Sequence, residues 1–199
     1  MHKRYFLLIA VLLSLLLLAY GCGDDDDGVG QSAEELFNQG LAKFDAGDYS
    51  GAGADFNAAL GLDPEYHDAY LWLGWAELLE NNAGLAEHAF VSYLAEKAGY
   101  NDAKAGLALA YHAQDKFEEA VAEAEEVLGA DPTWSFSRVS GIDYQDLALV
   151  LAHAYYETGQ FGQCLVVVQT YLNPSFNTDT ATPEGRRALA DELERLYTG

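Results

Sequence analysis

The chain has 199 residues, of which 32 are acidic and 10 basic, giving a net charge of −22, and half of its residues are hydrophobic. So large an excess of negative charge repels phosphate backbones and anionic headgroups, which excludes nucleic acid as a partner and leaves no charged protein surface to hold a membrane. The length suits one domain with a single continuous core.

Residues 1–22 differ from all that follows. His2, Lys3 and Arg4 precede an uncharged run over residues 5–20, then Gly21 and Cys22. The run is shorter than the roughly 18–20 residues a spanning helix needs, so it reads as an export signal. Its end, Leu18, Ala19, Tyr20, Gly21 and Cys22, resembles the lipobox of bacterial lipoproteins. The resemblance implies a signal peptide over 1–21 and lipidation of Cys22 as the new first residue. Gly23 after the Cys implies, by the sorting rule of that family, a lipid-anchored protein of the bacterial outer membrane facing the periplasm. Removing Lys3 and Arg4 leaves 8 of the 10 basic residues against 32 acids, a net charge of about −24. Asp24, Asp25, Asp26 and Asp27 lie among glycines, where like charges repel and keep a segment extended. Residues 22–32 are therefore a lipidated Cys and a flexible acidic tether, the part after Cys22 spanning at most about 35 Å.

The stretch 67–99 reads as two helices with a tight turn between them. Tyr70, Leu71, Leu73, Trp75, Leu78 and Leu79 fill most of the circumference of the first, which must be covered on several sides. Asn81 and Asn82 interrupt the apolar run, and Ala86, Phe90, Tyr93 and Leu94 resume it as one stripe. One such hairpin cannot bury its own faces, and copies follow at a 34-residue interval. Leu36, Gly40, Ala52, Phe56 and Ala59 precede the template; Leu107, Ala108, Tyr111, Ala120 and Val127 follow it. A fourth copy, displaced by about ten residues, carries Leu151, Ala152, Tyr155, Cys164, Val168 and Tyr171. Asp63-Pro64, Asp131-Pro132 and Asn173-Pro174 close three of the four, where a helix has to stop.

This period and pattern resemble the tetratricopeptide repeat, over residues 33–174. The resemblance implies an all-α, right-handed α-solenoid of four helix hairpins, at 33–66, 67–100, 101–134 and 145–174. Gly40, Gly74, Ala108 and Ala152 are expected to lie opposite Ala52, Ala86, Ala120 and Cys164, because only small residues let crossing helices approach. With Cys22 lipidated, Cys164 has no disulfide partner and sits at a small packing position. Between the third and fourth copies an insertion of about 135–144 follows Trp134 and contains Phe136 and Arg138. Such an insertion is where a binding loop is placed, although its aromatics more often pack back on the solenoid. Residues 175–199 read as a linker and a capping helix: Thr182 caps, Pro183 and Glu184 fill the first turn, and Leu189, Leu193 and Leu196 form one stripe that shields the last repeat.

In such arrays the first helices of successive hairpins line a concave groove. The resemblance places there Phe37, Leu41 and Phe44, then Leu71, Trp75 and Leu78, then Ala105, Leu109 and His112, and finally Leu149, His153 and Tyr156. The Lys and Asn residues of a carboxylate clamp are absent from these places. Each first helix also opens on an acid, Glu34, Asp68, Asp102 or Asp146, a candidate acidic edge for a basic partner, although the helix dipole alone favours acids there. His112 and His153 can approach each other across neighbouring copies, yet no third ligand or metal-binding spacing accompanies them, so no metal and no cofactor is expected. No nucleophile elbow, P-loop or dinucleotide turn is present, and nothing points to an enzyme. The reading is a lipid-anchored scaffold whose apolar, aromatic groove takes a segment of another envelope protein. The alternative is a component of outer-membrane protein assembly, a pilus or a secretion machinery.

Overall fold

A computed structural model describes residues 30–198, and residues 33–198 belong to one compact unit. The signal peptide, Cys22 and nearly all of the acidic tether lie outside the described residues. Nine helices follow one another, with no strand among the described residues: α1 (Ala33–Asp45), α2 (Tyr49–Leu62), α3 (His67–Leu79), α4 (Ala83–Glu96), α5 (Asn101–His112), α6 (Phe117–Ala130), α7 (Tyr144–Glu157), α8 (Phe161–Val167, prolonged by a π-helical turn over Val168–Leu172) and α9 (Pro183–Thr198). They pair as α1/α2, α3/α4, α5/α6 and α7/α8, and α9 packs against α7.

The turn inside each hairpin is made the same way four times. Gly47, Asn81, Asp115 and Gly159 adopt φ of 80°, 62°, 59° and 75°. This left-handed residue lets the next N–H reach back to the carbonyl five residues earlier, as Asp48 to Lys43 (2.9 Å), Asn82 to Glu77 (2.8 Å), Lys116 to Tyr111 (3.0 Å) and Gln160 to Tyr155 (2.7 Å). Residues that tolerate positive φ are required there, and Gly, Asn and Asp are the ones that do. After the first, third and fourth hairpins, Asp63, Asp131 and Asn173 accept at their side chains from the backbone N–H two residues on, ending the second helices.

The helix crossing differs in one detail from the sequence expectation. The small residues Gly40 and Gly74 do not make room for Ala52 and Ala86; they make room for a ring. A Cβ on Gly40 would lie 2.6 Å from the Phe56 ring, and one on Gly74 would lie 2.7 Å from Phe90. Gly106 of the next hairpin approaches the same Phe90 from the other side, where a Cβ would come within 2.3 Å. Sixteen residues separate Gly40 from Phe56 and Gly74 from Phe90; at that separation the third hairpin has Ala108 and Ala124, the fourth Ala152 and Val168, all fully buried. Where the ring is lost, the glycine is filled in.

First helices touch in succession, α1 to α3, α3 to α5 and α5 to α7, whereas no two second helices meet to a comparable extent. The first helices therefore form the inner, crowded side of the array and the second helices the outer side.

Gly74→Ala forces a methyl group into the Phe90 ring and should destabilise the protein by about 1–3 kcal/mol. Urea unfolding measures this, and pairing the change with Phe90→Leu should recover most of the loss; equal costs in both backgrounds would refute the ring-and-notch account.

Candidate functional site

The residues expected to line a groove do lie on the first helices, but five of the twelve are buried. Phe37, Phe44, Leu71 and Trp75 are buried, Phe44 to 2% exposure and Trp75 to 0%; Leu41, Leu78, Leu109, His112, Leu149, His153 and Tyr156 are half-buried, and Ala105 is buried. The open aromatic channel expected over the first two hairpins is thus filled. Phe37 packs on Phe56 and Tyr66 (ring centroids 5.7 and 4.9 Å), Phe44 on Tyr49 and Trp72 (5.1 and 5.3 Å). Trp75 stands edge-on to Phe90 at 5.6 Å and stacks face to face on Phe136 at 3.9 Å, with 12° between the planes.

Phe136 belongs to the insertion, which folds back across the inner side. The backbone N–H of Phe136 donates to the Ile142 carbonyl (2.9 Å), an antiparallel bridge joins Ser135 to Asp143, and Gly141, at φ 90°, turns the chain. In the leading limb the side chains alternate: Trp134 and Phe136 are buried, Ser135 and Ser137 exposed. Three first helices receive it. The Trp134 indole N–H donates to Asp102 on α5 (2.8 Å); Phe136 meets Trp75 and Trp72 on α3; and the Arg138 guanidinium lies over the Trp72 ring (5.0 Å) while donating to both Asp45 oxygens on α1 (2.9 and 2.8 Å). Asp45, Trp72 and the role of Arg138 were missed in the sequence, where the two-residue alternation of Trp, Ser, Phe, Ser and Arg was the one available signal. One group in the seat stays unsatisfied: the Trp75 indole N–H is buried without an acceptor among the described residues.

The acidic row is divided among tasks. Asp102 accepts from Trp134, and Asp146 accepts from the Asp143 N–H (2.9 Å) in a capping box at the start of α7. Burial pushes the Asp146 carboxyl above its ordinary range, opposed by that hydrogen bond. Glu34 and Asp68 are exposed, and Asp68 borders a shallow pocket of about 330 Å³ with Glu65, Tyr66, His67 and Lys97.

At the other end of the inner side His112 and His153 meet, Nε2 to Nδ1 at 2.9 Å, with the Tyr197 hydroxyl of α9 3.3 Å from His112 Nε2. The Glu157 carboxylate lies 3.7 Å from His153 Nε2. The His112 pKa is lowered from 6.5 to about 4, first by burial and then by His153, with Asp115 opposing. No group of three His, Cys, Asp or Glu side chains among the described residues is placed to hold a metal ion. On the outer side an apolar pocket of about 480 Å³ lies between α6 and α8, lined by Leu128, Leu151, Val166, Val167 and Tyr171. At its edge Tyr155 donates to Glu125, and the phenol is held above its ordinary pKa by burial first and that bond second. Burial likewise raises the Cys164 thiol to about 12.

These features define an α-solenoid of stacked two-helix repeats with an occupied inner face. Tetratricopeptide-repeat family models match residues 37–101 and 102–133, so the first three hairpins are tetratricopeptide repeats. No curated protein matches the chain. Among solved structures, one of a MamA protein is 21% identical, with a TM-score of 0.60 over 70% of this chain and 71% of that one. A MamA fragment from Desulfovibrio magneticus RS-1 is 19% identical, with a TM-score of 0.61 over 74% and 78%. The thermophilic TPR protein TTC0263 of Thermus thermophilus is 20% identical, with a TM-score of 0.53 over 84% of each chain. At these identities the likeness establishes the fold. As a class such repeats are scaffolds for protein–protein interaction, and no catalytic family is indicated.

Because His112 resists protonation when folded but not when unfolded, the folded state loses stability as pH falls from 6.5 towards about 4. His112→Gln, which has no proton to gain, should lose less over that window in urea midpoints measured at pH 7.5 and 5. Identical pH dependence in the two proteins would remove His112 from the account.

Proposed function

We propose that the protein is a lipid-anchored adaptor of a bacterial envelope, held by an acyl group on Cys22 and presenting the inner side of its repeats to a segment of another envelope protein. The observation that carries the binding half of this reading is that the inner side already seats a segment, extended over residues 134–136 and turning after them, on three successive first helices. The anchoring half rests on the leader and on Cys22. The negative surface leaves attachment to the acyl chain. Among the described residues no helix is long and apolar enough to cross a membrane.

In cells, the wild-type protein should fractionate with membranes and show an acylated N-terminal peptide by mass spectrometry, whereas Cys22→Ser should lose the modification and leave the outer-membrane fraction. An unmodified wild-type Cys22 would overturn the anchor. Photocrosslinking residues placed at Leu41, Leu78 and Leu109 test the binding side: reproducible capture of one envelope protein supports it, and capture of barrel-assembly or pilus components would narrow it to that machinery. Crosslinks that stay within the chain at all three positions would oppose it.

A further inference from the structure

The insertion is not needed to stack the hairpins. The first and second hairpins, and the second and third, join through short turns without it, at the regular 34-residue spacing. Trp134 stands where Tyr66 and Tyr100 stand in those junctions, and the extra residues begin immediately after it. They nevertheless run as far as α1, where Arg138 meets a residue 93 positions earlier in the chain.

The seat has the chemistry of a recognition surface. Aromatic walls on α3 hold the ring of Phe136, one carboxylate takes a donor at each end, and the polar residues in between face solvent. The fit is also incomplete. Among the described residues Trp75 has no acceptor for its buried N–H, and buried polar groups in native proteins rarely go unpaired. The last anchor is a solvent-exposed ion pair, 41% exposed on Arg138 and 51% on Asp45, of the kind that adds little to stability.

We propose that residues 134–138 are an internal competitor occupying the partner's seat, and that the partner is a protein segment of the same chemistry (aromatic, small polar, aromatic, small polar, basic), extended across its aromatic pair and turning before its basic residue. The inference rests on the adaptor reading and adds to it what is recognised and how access is limited. A carbonyl of the incoming segment supplies the acceptor that Trp75 lacks, and its basic residue replaces Arg138 on Asp45. While the insertion is seated, the apparent affinity is reduced by the fraction of molecules in which it is open.

The test uses the processed full-length protein in detergent and three fluorescein-labelled peptides: the sequence of residues 133–139, the same sequence with Glu in place of Arg, and a scramble. Binding is read by anisotropy to wild type, Arg138→Ala and the double variant Phe136→Ala/Arg138→Ala, with circular dichroism and urea unfolding confirming the fold. The double variant should bind the first peptide about tenfold or more tighter than wild type, as removal of a mostly closed state requires, and Arg138→Ala alone by a smaller factor. That gain should vanish with the Glu peptide and in a variant that also carries Asp45→Lys. Should the double variant not fold, Phe136→Leu/Arg138→Ala, which keeps an apolar side chain but no ring against Trp75, carries the test.

Opened, folded variants that bind all three peptides equally would overturn the proposed chemistry while leaving a peptide-binding face. Variants that bind no peptide, while photocrosslinking still captures a partner, would make the insertion a structural staple and leave the adaptor reading intact. No peptide binding together with no capture would defeat both. If light scattering shows the opened variants dimerising by exchanging insertions, the occupant is a second copy, and the partner proposed here is wrong.

Discussion

The structure depends on a phenyl ring pressed into notches where side chains are missing. Phe90 lies between Gly74 of its own hairpin and Gly106 of the next, with Trp75 edge-on to it. One side chain thus closes a hairpin and joins it to its neighbour. That fixes the separation of α3 and α5, and with it the width of the strip on which Phe136 and Trp134 find their places. Interiors are packed too densely for such a contact to be approximate. The third hairpin carries alanines at both matching positions, so the array changes there from ring-and-notch to small-on-small packing, and the insertion follows directly after it.

Much of this could be read in the chain. The 34-residue interval, the Asn and Gly at the turns and the proline closures follow from backbone rules that act over a few residues, so they leave a local trace. Gly74 was legible as a close approach; that its neighbour is Phe90 rather than Ala86 was not, because the choice depends on where the ring points once the two helices cross. The insertion was harder. Trp134 and Phe136 were visible as aromatics in a loop, but Asp45 and Trp72 carry no mark of their role, since the bond from Arg138 closes over 93 residues and repeats say nothing about segments outside their period. The candidate residues on α1 and α3 do lie on the first helices; Phe37 and Phe44 are covered by rings of the repeats themselves, and Trp75 by Phe136, from a segment whose destination only the folded chain reveals.

Positive charge is scarce, and its placement is telling. Lys43 pairs with Asp55 across the first hairpin, Lys104 with Glu126 across the third, Lys116 with Glu87 between the second and third, and Arg138 with Asp45 over the longest span. Each of these four joins separate elements of the array, whereas Arg195 pairs with Glu192 on α9 itself. In a chain of net charge −22, these cations offset self-repulsion where elements meet and leave the remaining surface acidic.

The three tryptophans of the chain, Trp72, Trp75 and Trp134, all gather around the folded-back segment: two share Phe136 as a neighbour, and the third begins the limb that carries it. No indole lies on the second helices or on α9. The tryptophan emission of this protein is therefore a local signal, arising neither on the outer surface nor at the histidine end, and reporting on the one short stretch of backbone that carries Trp134 and Phe136.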